Sequence, residues 1–138
     1  MHLILFGFQG CGKSTIGKQL AEQLQRPFID TDARIVERAG LPVRELYHTL
    51  GETKFRTLEK QIILELEPRP DAVIALGGGS VLDPESVRFL RTIGQLIYLD
   101  IPFEQLRIEG TPAYADGRAL FEIYQTRKPI YEAVARGL

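Results

Sequence analysis

Residues 7–15 read Gly7-Phe8-Gln9-Gly10-Cys11-Gly12-Lys13-Ser14-Thr15, and this run constrains the fold more than any other part of the chain. It satisfies the pattern G-x-x-x-x-G-K-[ST] in full. Before it lies the apolar run Leu3–Phe6, which suits a strand buried on both faces. After it, Lys13 to about Leu24 reads as a helix with Ile16, Leu20 and Leu24 sharing a face. A strand, a glycine loop and a helix in that order form a cradle for a polyphosphate. The glycines at 7, 10 and 12 allow backbone N–H groups to point inward at close range. The first turn of the helix adds its free N–H groups and the positive end of its dipole. Lys13 can reach the β and γ phosphates, and the Ser14 hydroxyl can ligate Mg²⁺. Motif and context together favour this reading over a glycine-rich turn that binds nothing. Cys11 inside the loop reads as a small space-filler, ahead of a thiol with a lowered pKa.

The remaining chain alternates strands and helices. Residues 27–30 suit a second strand, 72–76 a third and 96–99 a fourth. Helices are expected over residues 32–39, 43–50, 52–66, 84–91 and 103–108, and over 118–135 with an interruption near Pro129. Gly40 and Gly51 serve as stops, and Asp83-Pro84 as an N-cap followed by proline at the first helical position. In the helix over 52–66, Phe55, Leu58, Ile62 and Leu66 form an apolar stripe, and Arg56 lies on a different face. Such alternation predicts an α/β fold, with a mainly parallel sheet covered by helices on both sides. A length of 138 residues corresponds to one domain, because a single hydrophobic core typically fills about 100–150 residues. The formal net charge of −1 leaves no broad basic field, so neither nucleic acid nor a membrane surface is an expected partner. A lone cysteine and an N-terminus without a basic, apolar leader point to the cytoplasm.

Further candidates lie where strands end. In open parallel sheets, ligands bind beyond the carboxyl ends of the strands. Asp30-Thr31-Asp32 follows the second strand, so both carboxylates should face the phosphate loop. One can hold a metal and the other can orient or deprotonate an acceptor hydroxyl; alternatively Asp32 caps the next helix and Asp30 is solvated. Gly77-Gly78-Gly79 follows the third strand, either as a tight turn or as backbone that a ligand approaches closely. Arg56, with Glu59 three residues on, suits bidentate carboxylate recognition, although spacing alone favours an ordinary exposed arginine. Arg127 precedes Lys128-Pro129-Ile130-Tyr131 in the last helix, and pattern alone does not separate a ligand role from a solvated charge. His2 reads as terminal and His48 as a helix-surface residue.

Together these residues resemble the shikimate kinase family. The likeness runs over most of the chain: the phosphate loop, Phe28-Ile29-Asp30-Thr31-Asp32, Gly51-Glu52 with Phe55-Arg56 and Glu59, Leu76-Gly77-Gly78-Gly79, and Arg127-Lys128-Pro129-Ile130-Tyr131. The resemblance implies a three-layer α/β/α P-loop kinase fold. Its sheet order would be 2-3-1-4, with the family's fifth strand not found in this sequence. The single domain would span residues 1–138, with substrate-binding helices over about 32–66 and a lid over about 110–118. The implied reaction is ATP-dependent phosphorylation of the shikimate 3-hydroxyl, by a monomer. Gly10, Cys11, Gly12, Lys13, Ser14 and Thr15 would bind ATP, with Arg107 packing on its base. Ser14 and Asp30 would serve Mg²⁺. Asp32 would contact the acceptor hydroxyls and act as base. Arg56, Gly77, Gly78, Gly79 and Arg127 would hold shikimate. The resemblance departs at two places. Thr111 stands where the family's lid carries an arginine, so efficient turnover calls on Arg118 or Arg107 in its place. The sequence also ends at Gly137-Leu138, where family members continue into a fifth strand and a helix. Two other readings remain open: a kinase of the same architecture with another acceptor, such as gluconate or a nucleoside monophosphate, and a nucleotide-binding module without turnover.

Overall fold

A computed structural model describes residues 1–107 and 120–137. Four strands, β1 (His2–Phe6), β2 (Phe28–Asp30), β3 (Val73–Ala75) and β4 (Gly94–Tyr98), form one sheet in the order β2-β3-β1-β4. Every pairing is parallel: Ile4 lies opposite Ile74 of β3 and Leu96 of β4, and Ile29 opposite Ile74. Parallel strands need crossover connections, and helices supply them. They are α1 (Lys13–Leu24), α2 (Thr31–Ala39), α3 (Val43–Leu50), α4 (Glu52–Leu64), α5 (Pro84–Ile93) and α6 (Leu120–Ala135), with short 3₁₀ turns at Ser80–Leu82 and Phe103–Gln105. The expected α/β architecture and strand order are those observed.

Side chains of a strand alternate between faces, and the core divides accordingly. Ile4 and Phe6 of β1 join Ile74, Ile63, Leu90, Tyr131 and Val134 in the main cluster under α4, α5 and α6. Leu5 joins Val73 and Ala21 of α1 on the opposite face. A third cluster, Ile35, Leu46, Phe55 and Ile62, ties α2, α3 and α4 to one another. Among the described residues no helix is long and apolar enough to cross a membrane.

Four expectations need correction. The buried face of α1 is Gly17 and Ala21, whereas Ile16 and Leu24 are 39% and 43% exposed. The reason is proximity, since a Cβ on Gly17 would lie 2.6 Å from the Phe28 ring. Small residues bring this helix onto the sheet, and the larger apolar ones are left at its sides. The expected helix over 103–108 is only the 3₁₀ turn Phe103–Gln105. Pro129 does not interrupt α6; a proline removes one backbone hydrogen bond, and Tyr124, Arg127, Tyr131 and Val134 are buried on both sides of it. His2 is not a loose terminal residue. It is buried, its Nδ1 accepts from the Ala72 N–H at 2.9 Å, and its Nε2 donates to the Glu67 carbonyl at 2.7 Å. His48 is exposed, as expected.

Because the strands are parallel, the segments following β1, β2 and β3 all emerge at one edge of the sheet. The glycine loop, Asp30 to Asp32 and the triple glycine therefore converge there.

Candidate active site

The glycine loop leaves β1 at Gly7 and delivers the chain to α1. Gly10 and Gly12 hold left-handed backbone angles, φ 84° and 93°, which side chains with a Cβ rarely adopt. Gly12 is the N-cap of α1 and offers no side-chain cap, so the first N–H groups of the helix face the loop. Lys13 Nζ donates to the Gly7 and Phe8 carbonyls at 2.7 and 3.2 Å. Burial pushes the Lys13 pKa below its ordinary value, against the pull of Cys11, Asp32 and Asp30. Cys11 is buried, and its Sγ lies 3.0 Å from where a Cβ on Gly7 would sit. That is the contact of a space-filling side chain.

The two aspartates occupy different places, and the helix cap is not the one that the sequence offered as an alternative. Asp30, not Asp32, caps α2. Its Oδ1 accepts from the N–H groups of Asp32 and Ala33 at 3.0 and 3.3 Å, and its Oδ2 accepts from the Ser14 hydroxyl at 3.1 Å. The cap thus orients the second carboxylate oxygen toward the loop serine. Asp32 lies in the first turn of α2, against Gly77, where a Cβ would come within 2.7 Å of its Oδ1. Burial, then the negative charges of Glu59 and Asp30, push the Asp32 pKa up to about 6, and Lys13 and Arg56 pull against them.

Arg56 on α4 donates through Nη1 to Glu59 Oε1 at 2.9 Å. Burial opposes its charge, but Glu59, aided by Tyr47 and Glu52, more than offsets this and raises the guanidinium pKa. Its guanidinium lies on Gly79, where a Cβ would fall 2.3 Å from Nη1. The triple glycine is therefore a site of close packing: position 77 admits Asp32 and Glu59, and position 79 admits Arg56. Position 78 is roomier, with a Cβ there 3.6 Å from the Gln9 nitrogen and 3.7 Å from Arg127 Nη1. Arg127 is buried, and α6 is fastened to the run by the Tyr131 hydroxyl donating to the Gly78 carbonyl.

A cavity of about 520 Å³ lies among these groups, lined by Lys13, Ser14, Thr15, Asp30, Asp32, Arg56 and Gly77–Gly79. Arg107 is exposed beside the loop, its backbone N–H donating to the Gly10 carbonyl at 3.0 Å. Arg118, Thr111 and the lid expected over 110–118 lie outside the described residues. The cavity also takes Val43, Arg44 and Tyr47 from α3, residues not singled out by sequence within the substrate-binding helices expected over about 32–66. The available signal was positional. A helix between the Asp32 helix and the Arg56 helix must turn one face to the space they share.

The donors suit magnesium. Ser14 Oγ and Asp30 Oδ2 are hard oxygen donors 3.1 Å apart, a spacing that fits neighbouring positions of an octahedron with ligands at about 2.0–2.1 Å. Two protein oxygens leave positions for phosphate and water.

Comparison with known proteins agrees with this geometry. The family model described as shikimate kinase matches residues 9–137. The shikimate kinase of Dechloromonas aromatica is 38% identical over 147 residues, covering 97% of this chain and 78% of the relative. That of Xylella fastidiosa is 34% identical, covering 97% and 79%. Among solved structures, the shikimate kinase from Acinetobacter baumannii in complex with shikimate superimposes with a TM-score of 0.84 at 32% identity, covering 97% of this chain and 79% of that one. The chain belongs to the shikimate kinase family of ATP-dependent phosphotransferases.

Proposed function

We propose that the chain transfers the γ-phosphoryl group of ATP to the 3-hydroxyl of shikimate. One observation carries the reading: a single cavity joins the polyphosphate-binding Lys13 and Ser14 to an acceptor side made of Asp32 and Arg56. The reading takes the protein as one domain, active as a monomer in the cytoplasm, with α2 to α4 supplying much of the acid-binding wall.

In this mechanism the loop N–H groups and the start of α1 hold the phosphates. Lys13 exchanges its contacts with the Gly7 and Phe8 carbonyls for phosphate oxygens. Magnesium, held by Ser14 and Asp30, would neutralise charge on the β and γ phosphates. Arg56 and Arg127 hold the acceptor carboxylate, with Gly77 to Gly79 as the backbone floor beneath it. Asp32 accepts the proton of the 3-hydroxyl. The new bond forms from that oxygen to the γ phosphorus, and the bond from the γ phosphorus to the β–γ bridging oxygen breaks, releasing ADP. Asp32 is suited to the task because an elevated pKa makes it a stronger base that is still ionised at neutral pH. Most of the acceleration in such a reaction comes from positioning and charge neutralisation.

The test is ADP release from Mg-ATP with and without shikimate. Shikimate-dependent turnover is expected, and Lys13→Ala should reduce it by about a hundredfold or more. Thr111 favours one other reading, a protein that binds shikimate without turning it over, which binding in the absence of ADP release would reveal. A folded, ATP-binding sample that neither binds nor phosphorylates shikimate would reject the substrate, and gluconate and nucleoside monophosphates would then be screened.

A further inference from the structure

The acid-binding cation is held from two elements. On α4, Glu59 pairs with Arg56 through Oε1. Glu59 is only 5% exposed, so its second oxygen also needs a partner, since a buried carboxylate oxygen left without a donor is costly. That partner is Ser80, 2% exposed, whose Oγ donates to Glu59 Oε2 at 3.1 Å. Ser80 directly follows Gly79, the residue on which the Arg56 guanidinium rests. Its own backbone N–H closes a turn onto the Gly77 carbonyl at 3.2 Å. Neighbouring residues of one turn thus seat both members of an ion pair carried by another element, Gly79 the guanidinium and Ser80 the carboxylate.

We propose that Ser80 is a positioning residue for acceptor recognition, its hydroxyl fixing Glu59, which fixes Arg56 in the orientation that receives the acceptor carboxylate. The inference rests on the shikimate reading above. Physically, a hydroxyl-to-carboxylate bond is charge-assisted and among the stronger hydrogen bonds. Without it, Glu59 can swing about its last torsion and Arg56 regains rotamers that binding must freeze again. A role in packing alone would give a different result. Ser80 also begins the 3₁₀ turn Ser80–Leu82, with Val81 in the main core, so loss of that turn would lower stability and harm the nucleotide side and the acceptor side together.

The test uses Ser80→Ala, Ser80→Cys, Glu59→Gln and the Ser80→Ala/Glu59→Gln double variant, with steady-state kinetics and thermal melting. Ser80→Ala should raise the KM for shikimate about tenfold, with kcat and the KM for ATP changed by less than about twofold. Ser80→Cys, of similar shape but a weaker donor, should fall between, and it carries the test if Ser80→Ala does not fold. In the Glu59→Gln background the alanine change should have little further effect, because the partner through which it acts is already altered. An unchanged shikimate KM, an equal loss on the ATP side, or full additivity of the two changes would overturn the proposal. Side-chain nitrogen spectra keep this outcome separate from failure of the substrate assignment. Even if the parent protein does not use shikimate, rotation of the Arg56 guanidinium should be slow in the parent and fast in Ser80→Ala, and equal rates would reject the positioning role.

Discussion

The environment of Asp32 is unfavourable to a charge and useful for chemistry. With its pKa raised from 3.8 to about 6, the folded protein holds the Asp32 proton more tightly than the unfolded chain does. The associated stability is fully present below about pH 4 and lost as pH rises through about 6. Asp32→Asn, which keeps the shape and removes the charge, should therefore stabilise the ligand-free protein by about 1–3 kcal/mol above pH 7. The gain should vanish near pH 4, and turnover should be abolished. Denaturant melts at several pH values without magnesium or nucleotide check the first part, and a neutral-pH assay checks the second. In the parent protein kcat/KM should fall as pH drops through about 6, where Asp32 becomes protonated and can no longer act in the proposed role of base. The triple glycine permits an equally direct contrast. Gly79→Ala places a methyl where the Arg56 guanidinium lies, 2.3 Å from Nη1, and should raise the shikimate KM about tenfold or more by displacing that side chain. Gly78→Ala has ordinary room on the protein side, so its stability should change by less than about 0.5 kcal/mol. If Gly78→Ala nevertheless weakens shikimate binding, the acceptor itself approaches the backbone at that position.

Elements whose form follows from local chemistry were legible from sequence. The glycine loop, the start of α1 at Lys13, the stops at Gly40 and Gly51 and the Asp83-Pro84 start of α5 each depend on residues within one or two turns. Features that depend on distant partners were not. The face of α1 could not be read from its large apolar residues, because closeness to Phe28 reserves that face for Gly17 and Ala21. Spacing offered Asp32 as the cap of α2, whereas the cap is Asp30, and only the resemblance puts Asp30 together with Ser14 of another element. Ser80 gave no signal, since its partner Glu59 lies 21 residues away on α4. His2 is the strongest case, with one imidazole bridging Glu67 and Ala72 across 65 and 70 residues. That bridge fastens the start of the central strand to the segment leading into β3. His2→Ala would leave a buried N–H and a carbonyl without their ring partner, and should lower stability by about 2 kcal/mol. The bridge is at the opposite end of β1 from the cavity, so the KM values for ATP and shikimate should not move. Urea unfolding and steady-state kinetics on one preparation would show whether the two effects separate in this way.

Across the whole molecule, α2 and α3 rest on a small core of their own, which α4 joins to the main core beneath the sheet. The loop and α1 are anchored to the sheet through Leu5, Val73 and Ala21, and the strands through the main cluster around Ile4, Ile74 and Leu90. The wall bearing Arg44, Tyr47 and Arg56 packs on the smaller cluster of Ile35, Leu46, Phe55 and Ile62, with Ile63 of α4 also entering the main cluster. Small packed units can open without global unfolding, so affinity for the two substrates should be separable by mutation. Leu46→Ala removes a buried side chain from the centre of that cluster, a change that typically costs about 2–5 kcal/mol. Amide-exchange protection should fall over α3 and α2 while β1 and β3 keep theirs. Shikimate affinity should drop at least about tenfold, with Mg-ATP affinity nearly unchanged. Leu90→Ala, in the main core, is the control, and it should lower protection throughout the sheet. If Leu46→Ala also lowered protection uniformly, the two cores would form one cooperative unit. Acceptor binding could then not be tuned independently of the fold. If protection is lost only locally, α2 to α4 can rearrange around the acceptor while the sheet holds the nucleotide in place.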